Sequence, residues 1–184
     1  MLIVWIILAV LVVGILIWSV ATYNSLIGLR TKIEEAFATI DVYLKKRYDL
    51  IPNLVETVKG YAAHEQETLA EVTQARANAV NCADINYKIQ SEHDFTQALS
   101  KLLALSENYP NLKADTQFIQ LQTELGAIEG ELAQARKYYN AVVNRFNTKI
   151  QTIPTNIIAN MGKFRQAPFF EIDDTERQNV SVQF

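Results

Sequence analysis

A single cysteine, Cys82, stands among 184 residues, so no disulfide can form within the chain and packing alone must hold it together. Four prolines and six glycines are too few to turn the chain often, and the elements between turns must be long. Sustained apolar–polar alternation, the mark of a half-buried strand, is absent. Lysine and arginine number 17 against 20 acidic residues, a net charge of −3, so the basic excess that nucleic acid requires is missing. A glycine-rich phosphate loop is missing too. His64-Glu65 opens like the metalloprotease helix signature, yet position 68 is Thr, and the other histidine, His93, lies in a polar stretch. Cys82 lacks an activating neighbour, with Asp84 opposing a thiolate. The carboxylates of Glu171, Asp173 and Asp174 read as solvated. No catalytic residue, cofactor or metal ligand is assigned, and an enzyme is not expected.

Charge is absent from the first 29 residues, and Leu2 to Trp18 is an unbroken apolar run that Val20 and Ala21 extend. Twenty such residues in a helix span about 30 Å, the thickness of a bilayer's hydrocarbon core. A cleaved secretory signal is the competing reading, with Ser19-Val20-Ala21 as a cleavage site. No Lys or Arg precedes the run, however, and it outlasts an ordinary signal core, so a retained single-pass anchor over residues 1–21 is expected. Arg30 and Lys32 follow the run, which biases the rest of the chain to the cytoplasmic side.

Beyond the anchor the composition favours good helix formers, and the expected fold is all-α. It is an N-terminal transmembrane helix continuing into a long antiparallel helical bundle. Leu26, Leu29, Ile33, Phe37, Ile40, Leu44 and Tyr48 recur in steps of three and four, one stripe of a helix over 22–49. Pro52 lacks a backbone donor and crowds the Tyr48 carbonyl, so a new helix is expected over 52–80, striped by Val55, Val58, Ala62, Leu69, Val72 and Ala79. Glu65 and Arg76 fall on that stripe as charges that snorkel at its rim. Residues 81–93 lose the periodicity and read as a linker. Asp94 caps a shorter helix over 94–108, which Asn108-Tyr109-Pro110-Asn111 ends. Phe118, Leu121, Leu125, Ile128, Leu132, Ala135, Tyr139, Val142 and Phe146 then form a heptad seam along a helix over 115–153, the pattern of left-handed supercoiled packing. Residues 154–184 form an apolar, then acidic, tail.

Several segments resemble the LemA family of bacterial membrane proteins, and the likeness covers nearly the whole chain. They are Tyr23-Asn24, Leu44 to Val55 (LKKRYDLIPNLV), Val58 to Ala62 (VKGYA), His64-Glu65, Glu107 to Pro110 (ENYP) and Leu112 to Ala114. Ala135-Arg136, Tyr139-Asn140 and the stretch from Phe164 to Glu171 continue it, and Ile153 before Pro154, where an aromatic is expected, departs from it. The resemblance implies one membrane helix followed by long antiparallel helices, with no established catalysis. It also implies a bacterial inner (cytoplasmic) membrane location and a partner such as a membrane protease or sensor.

Three surfaces are candidates for contact. Gly126 and Gly130 form a GxxxG in a water-soluble helix, and each costs about 1 kcal/mol against Ala. The pair points to close approach of a neighbouring backbone, inside the chain or in a second subunit. Lys45, Lys46, Arg47 and Asp49 would form a partner-docking tip. At about 1.5 Å per residue they stand roughly 36 Å beyond the anchor, several Debye lengths from its headgroups. Ile157, Ile158, Met161, Phe164, Phe169 and Phe170 are too apolar for a free tail. A helix over 115–153 would reach about 58 Å and bring this segment back to the bilayer, so it should meet membrane lipid, a neighbouring subunit or its own bundle. The expected function is a self-assembling, homo-oligomeric envelope scaffold at the membrane surface, or else an adaptor that regulates a membrane protease or sensor. Nucleic acid is not an expected partner.

Overall fold

A computed structural model describes residues 1–82 and 85–170 of the chain. The chain is all-α, with no strand among the described residues. In order, the elements are α1 (Leu2–Lys59), α2 (Gln66–Val80), α3 (Ile85–Leu105), a short 3-10 turn (Ser106–Asn108), α4 (Pro110–Lys113), α5 (Thr116–Gln151) and α6 (Thr155–Met161). They divide between two compact units, one of Met1–Thr39 with Lys137–Phe169, the other of Ile40–Arg136 with Phe170.

In the first unit, α1 begins with a stretch of mean hydropathy 3.0, none of it buried, long and apolar enough to cross a membrane. Past it, Leu26, Leu29 and Ile33 are buried, as are Val142, Val143, Phe146 and Ile150 of α5. Lys149 Nζ donates to Ser25 Oγ at 2.6 Å, while the Phe37 and Tyr139 rings lie 6.0 Å apart. Residues early in α1 therefore pair with residues late in α5, an antiparallel register that brings the end of α5 level with residue 23 or so. A cis Ile153-Pro154 bond separates α5 from α6. Gly162 then caps α6 and Lys163 takes φ 55°. A Cβ at Gly162 would stand 2.6 Å from the Phe164 ring, so only glycine lets that ring fold back. Phe164 packs against Tyr23 and Phe146, with centroids 5.6 and 6.2 Å away. The chain returns along α5, where Tyr139 Oη donates to the Pro168 carbonyl and Asn147 binds both backbone groups of Ala167.

In the second unit the helix break expected at Pro52 is absent, and α1 runs on to Lys59. Proline withholds the N–H that the Tyr48 carbonyl needs, but Arg76 Nε of α2 donates to that carbonyl at 2.7 Å. The break falls instead at Gly60 to Glu65, before α2. Ile51, Leu54 and Val58 carry the buried stripe to the end of α1, whereas Val55 is half-exposed. The linker expected at 81–93 is mostly helix as well. α3 opens at Ile85, so Asp94 is an interior residue that accepts from Gln90 at 3.2 Å rather than a cap. Pro110 opens α4, and Asp115 Oδ1 caps α5 by accepting from the Phe118 N–H at 2.9 Å. The acidic tail Glu171 to Asp174 lies outside the described residues, as does Asp84.

Candidate functional site

The heptad seams of the second unit explain its least expected feature. Along α1 the seam runs Ile40, Leu44, Arg47, Ile51, Leu54, Val58, and along α3 it runs Glu92, Phe95, Leu99, Leu102. Each places one charged residue where an apolar one belongs, and the two meet. Arg47 is 0% exposed and Glu92 2%. The Arg47 guanidinium donates to Glu92 and, at 2.6 Å, to Glu129 of α5, while Tyr48 Oη donates to the other Glu92 oxygen. Arg136 approaches the same carboxylate at 3.4 Å. Phe95 roofs the cluster, 4.8 Å from the Arg47 guanidinium and edge-on to Tyr48 at 5.4 Å. Two guanidinium groups thus face two carboxylates, and the charge of the cluster sums to zero, as does that of its fully buried pair, Arg47 and Glu92.

Burial pushes the Glu92 carboxyl above its usual range, against the pull of Arg47 and the Tyr48 hydroxyl. Burial, then the Glu92 charge, raises the Tyr48 phenol further. Both directions follow from a low-dielectric site whose groups answer one another. Both terminal nitrogens of Arg47, both Glu92 oxygens and the Tyr48 hydroxyl are engaged internally, while the buried Arg47 Nε finds no hydrogen-bond partner among the described residues. Such a cluster fixes the register of α1, α3 and α5, the behaviour of a structural clamp held by its carboxylates.

Arg47 is accordingly removed from the docking tip expected at residues 45–49. The tip itself is not a turn, because α1 continues ten residues past Asp49. Lys45 and Asp49 remain exposed and pair along the helix at 3.0 Å, and Lys46 lies 5.3 Å over the Tyr43 ring. An open groove of about 510 Å³ lies on the same unit, lined by Asn53, Glu56, Gln117, Gln120, Leu121 and Glu124 among others. Gly126 and Gly130 are exposed, and apart from the adjoining backbone of α5 itself no described atom lies within 4 Å of where their Cβ atoms would stand. No close packing by the other described residues accounts for them.

The apolar segment after α5 divides three ways. Phe164 is half-buried in the aromatic cluster of the first unit, and Phe170 is buried in the second, with the Arg136 guanidinium 4.7 Å over its ring. The Phe170 ring is thereby covered, whereas the Phe164 ring keeps part of its surface open. Ile158 is half-buried. Ile157, Met161 and Phe169 remain exposed, at 57%, 77% and 42%.

These features define an all-α protein whose first helix is long and apolar enough to cross a membrane, and whose buried charge cluster is a clamp. The family model of the LemA family matches residues 36–184, starting beyond the apolar run, and the chain belongs to that family. Protein LemA of Metamycoplasma hominis is 28% identical over 175 residues, covering 94% of this chain and 80% of that protein. Magnetosome protein MamQ 2 of Paramagnetospirillum magneticum is 22% identical, over 81% of this chain and 64% of its own length. MamQ of Magnetospirillum gryphiswaldense is 21% identical, over 80% and 64% respectively. This chain thus spans under two thirds of the magnetosome proteins' length.

Proposed function

We propose that the protein is a non-enzymatic, self-assembling scaffold of the bacterial inner membrane. Residues 2–21 cross the bilayer and the helical units face the cytoplasm. The observation that carries this reading is the open glycine pair of α5. Gly126 and Gly130 each weaken an exposed helix by about 1 kcal/mol relative to Ala, with no described contact to offset it. An approaching backbone from a second copy gives those positions a reason, since a bare helix face admits the nearest approach. The clamp around Glu92 supports the reading by keeping that face rigid.

The test is the mass of the full-length protein in mild detergent, by light scattering behind size exclusion. A closed assembly of many copies is expected, and the pair G126L/G130L should dissociate it without unfolding the helices. The conservative pair G126A/G130A should raise the chain's own stability by about 1 kcal/mol per site, because no neighbour obstructs either methyl. A parent protein that remains a monomer or dimer refutes the scaffold.

A second reading has one observation behind it. The groove between Asn53 and Gln120 would suit an amphipathic segment of a membrane protease or sensor, making the protein an adaptor. Crosslinks from Gln120→Cys to a single membrane protein, in a chain that is small when isolated, would favour it.

A further inference from the structure

The first unit holds a surface that self-assembly through α5 does not use. Ile153, Ile157 and Met161 are 78%, 57% and 77% exposed, and Ile157 and Met161, four residues apart within α6, share one side of that helix. This patch sits beside the anchor. Phe164, three residues past Met161, packs on Tyr23, and a Cβ at Gly162 would stand 3.2 Å from the Tyr23 ring. Tyr23 follows the apolar run by two residues, about 3 Å along the helix axis. With residues 2–21 in the bilayer, α6 therefore lies within reach of the headgroups, and docking on them is a separate step.

Charge identifies the occupant. Seven of the chain's 17 lysines and arginines fall in this unit, against two of its 20 acidic residues, although the whole chain is negative. Lys163 and Arg165 are exposed directly after α6, and Lys149 lies one turn before Ile153. Exposed apolar side chains flanked by basic ones match an anionic lipid surface, where acyl chains receive the first and phosphates the second. A second copy presenting the same unit would bring positive charge against positive charge. We propose that α6 and its flanks form a second membrane contact, docking on the anionic headgroups beside the protein's own anchor and fixing how the helical part leans on the bilayer.

The test uses the full chain with Cys82→Ser and a single fluorophore at Ile157→Cys, reconstituted at one copy per lipid disc, which makes it independent of self-assembly. Discs contain phosphatidylcholine alone or equal parts phosphatidylcholine and phosphatidylglycerol, with nitroxide at the headgroup as quencher. Strong quenching is expected in the phosphatidylglycerol discs and weak quenching in the others. A fluorophore at Tyr138→Cys, near residue 38 of α1 in the register and so about 25 Å from the span, should escape quenching in both. Because each basic side chain near an anionic surface shifts the equilibrium about fivefold, K163Q/R165Q should lower the docked-to-undocked ratio about 25-fold. No quenching at 157, or equal quenching in both discs, overturns the proposal. So does self-quenching between 157 labels in discs holding two copies when single-copy discs show none, which would assign the patch to a second subunit.

Discussion

Replacing Glu92 with glutamine removes one charge from a cluster that has no solvent to replace it. Arg47 is fully buried, and its remaining carboxylate partner, Glu129, has a side chain 41% exposed and so weakened by solvent. Breaking a buried ion pair from one side costs about 3–5 kcal/mol, because the surviving charge stays desolvated. A unit of this size has about 5–15 kcal/mol of stability in total, so Glu92→Gln should remove a large part of it. With a urea slope of about 2 kcal/mol per molar, the midpoint should fall by about 2 M. Urea titration of the full-length protein in mild detergent, followed by helical circular dichroism, measures this directly. Removing the cluster's more buried members together, as R47M/Y48F/E92L/R136M, should recover most of the loss or exceed the parent, because the one charge left, Glu129, is 41% exposed and reaches solvent. A Glu92→Gln loss under about 1 kcal/mol, or a fourfold variant no better than the single one, would refute the account of the clamp.

The junction at Pro52 makes a second test. Arg76→Met should cost about 1–3 kcal/mol by stranding the Tyr48 carbonyl, and clearly less in a Pro52→Ala background, where the backbone N–H restored by that substitution reclaims the carbonyl. A strictly additive double-mutant cycle would exclude the coupling. Asp115 supplies the pH dependence. The Phe118 N–H and then the Tyr61 hydroxyl hold its carboxyl below the ordinary 3.8. A depressed acid stabilises the fold fully above its unfolded value and loses that contribution as pH falls through the folded one. Asp115→Asn, which still caps, should therefore flatten the acid limb of the stability curve while changing neutral stability little, and unfolding midpoints measured down through about pH 4 and below will show whether it does.

Much of the architecture was legible in residue order because helical periodicity is a local property. The apolar run before Arg30, the stripe from Leu26 to Tyr48 and the long seam of α5 each carry their own signal, and the seam residues from Phe118 to Phe146 are buried or half-buried. The failures came where a side chain from another helix changed a local rule. Pro52 ends no helix, since Arg76 meets the carbonyl it frees. Residues 85–93 looked irregular because their seam position is held by Glu92, whose charge only Arg47, Tyr48 and Arg136 make tolerable. The same arrangement hid Arg47 among the exposed lysines beside it. Its place in the heptad, midway between Leu44 and Ile51, was the signal that could have shown it.

Amino-acid order by itself thus determined that this chain is helical, that its first helix suits a bilayer, and which faces turn inward, for these follow from side-chain spacing and hydropathy along one helix. Tertiary structure decided which charges are buried, whether Pro52 interrupts α1, and which apolar side chains after α5 stay uncovered. Those outcomes depend on partners distant in sequence, and the desolvation of a charge or the satisfaction of a carbonyl is settled only when the partner arrives.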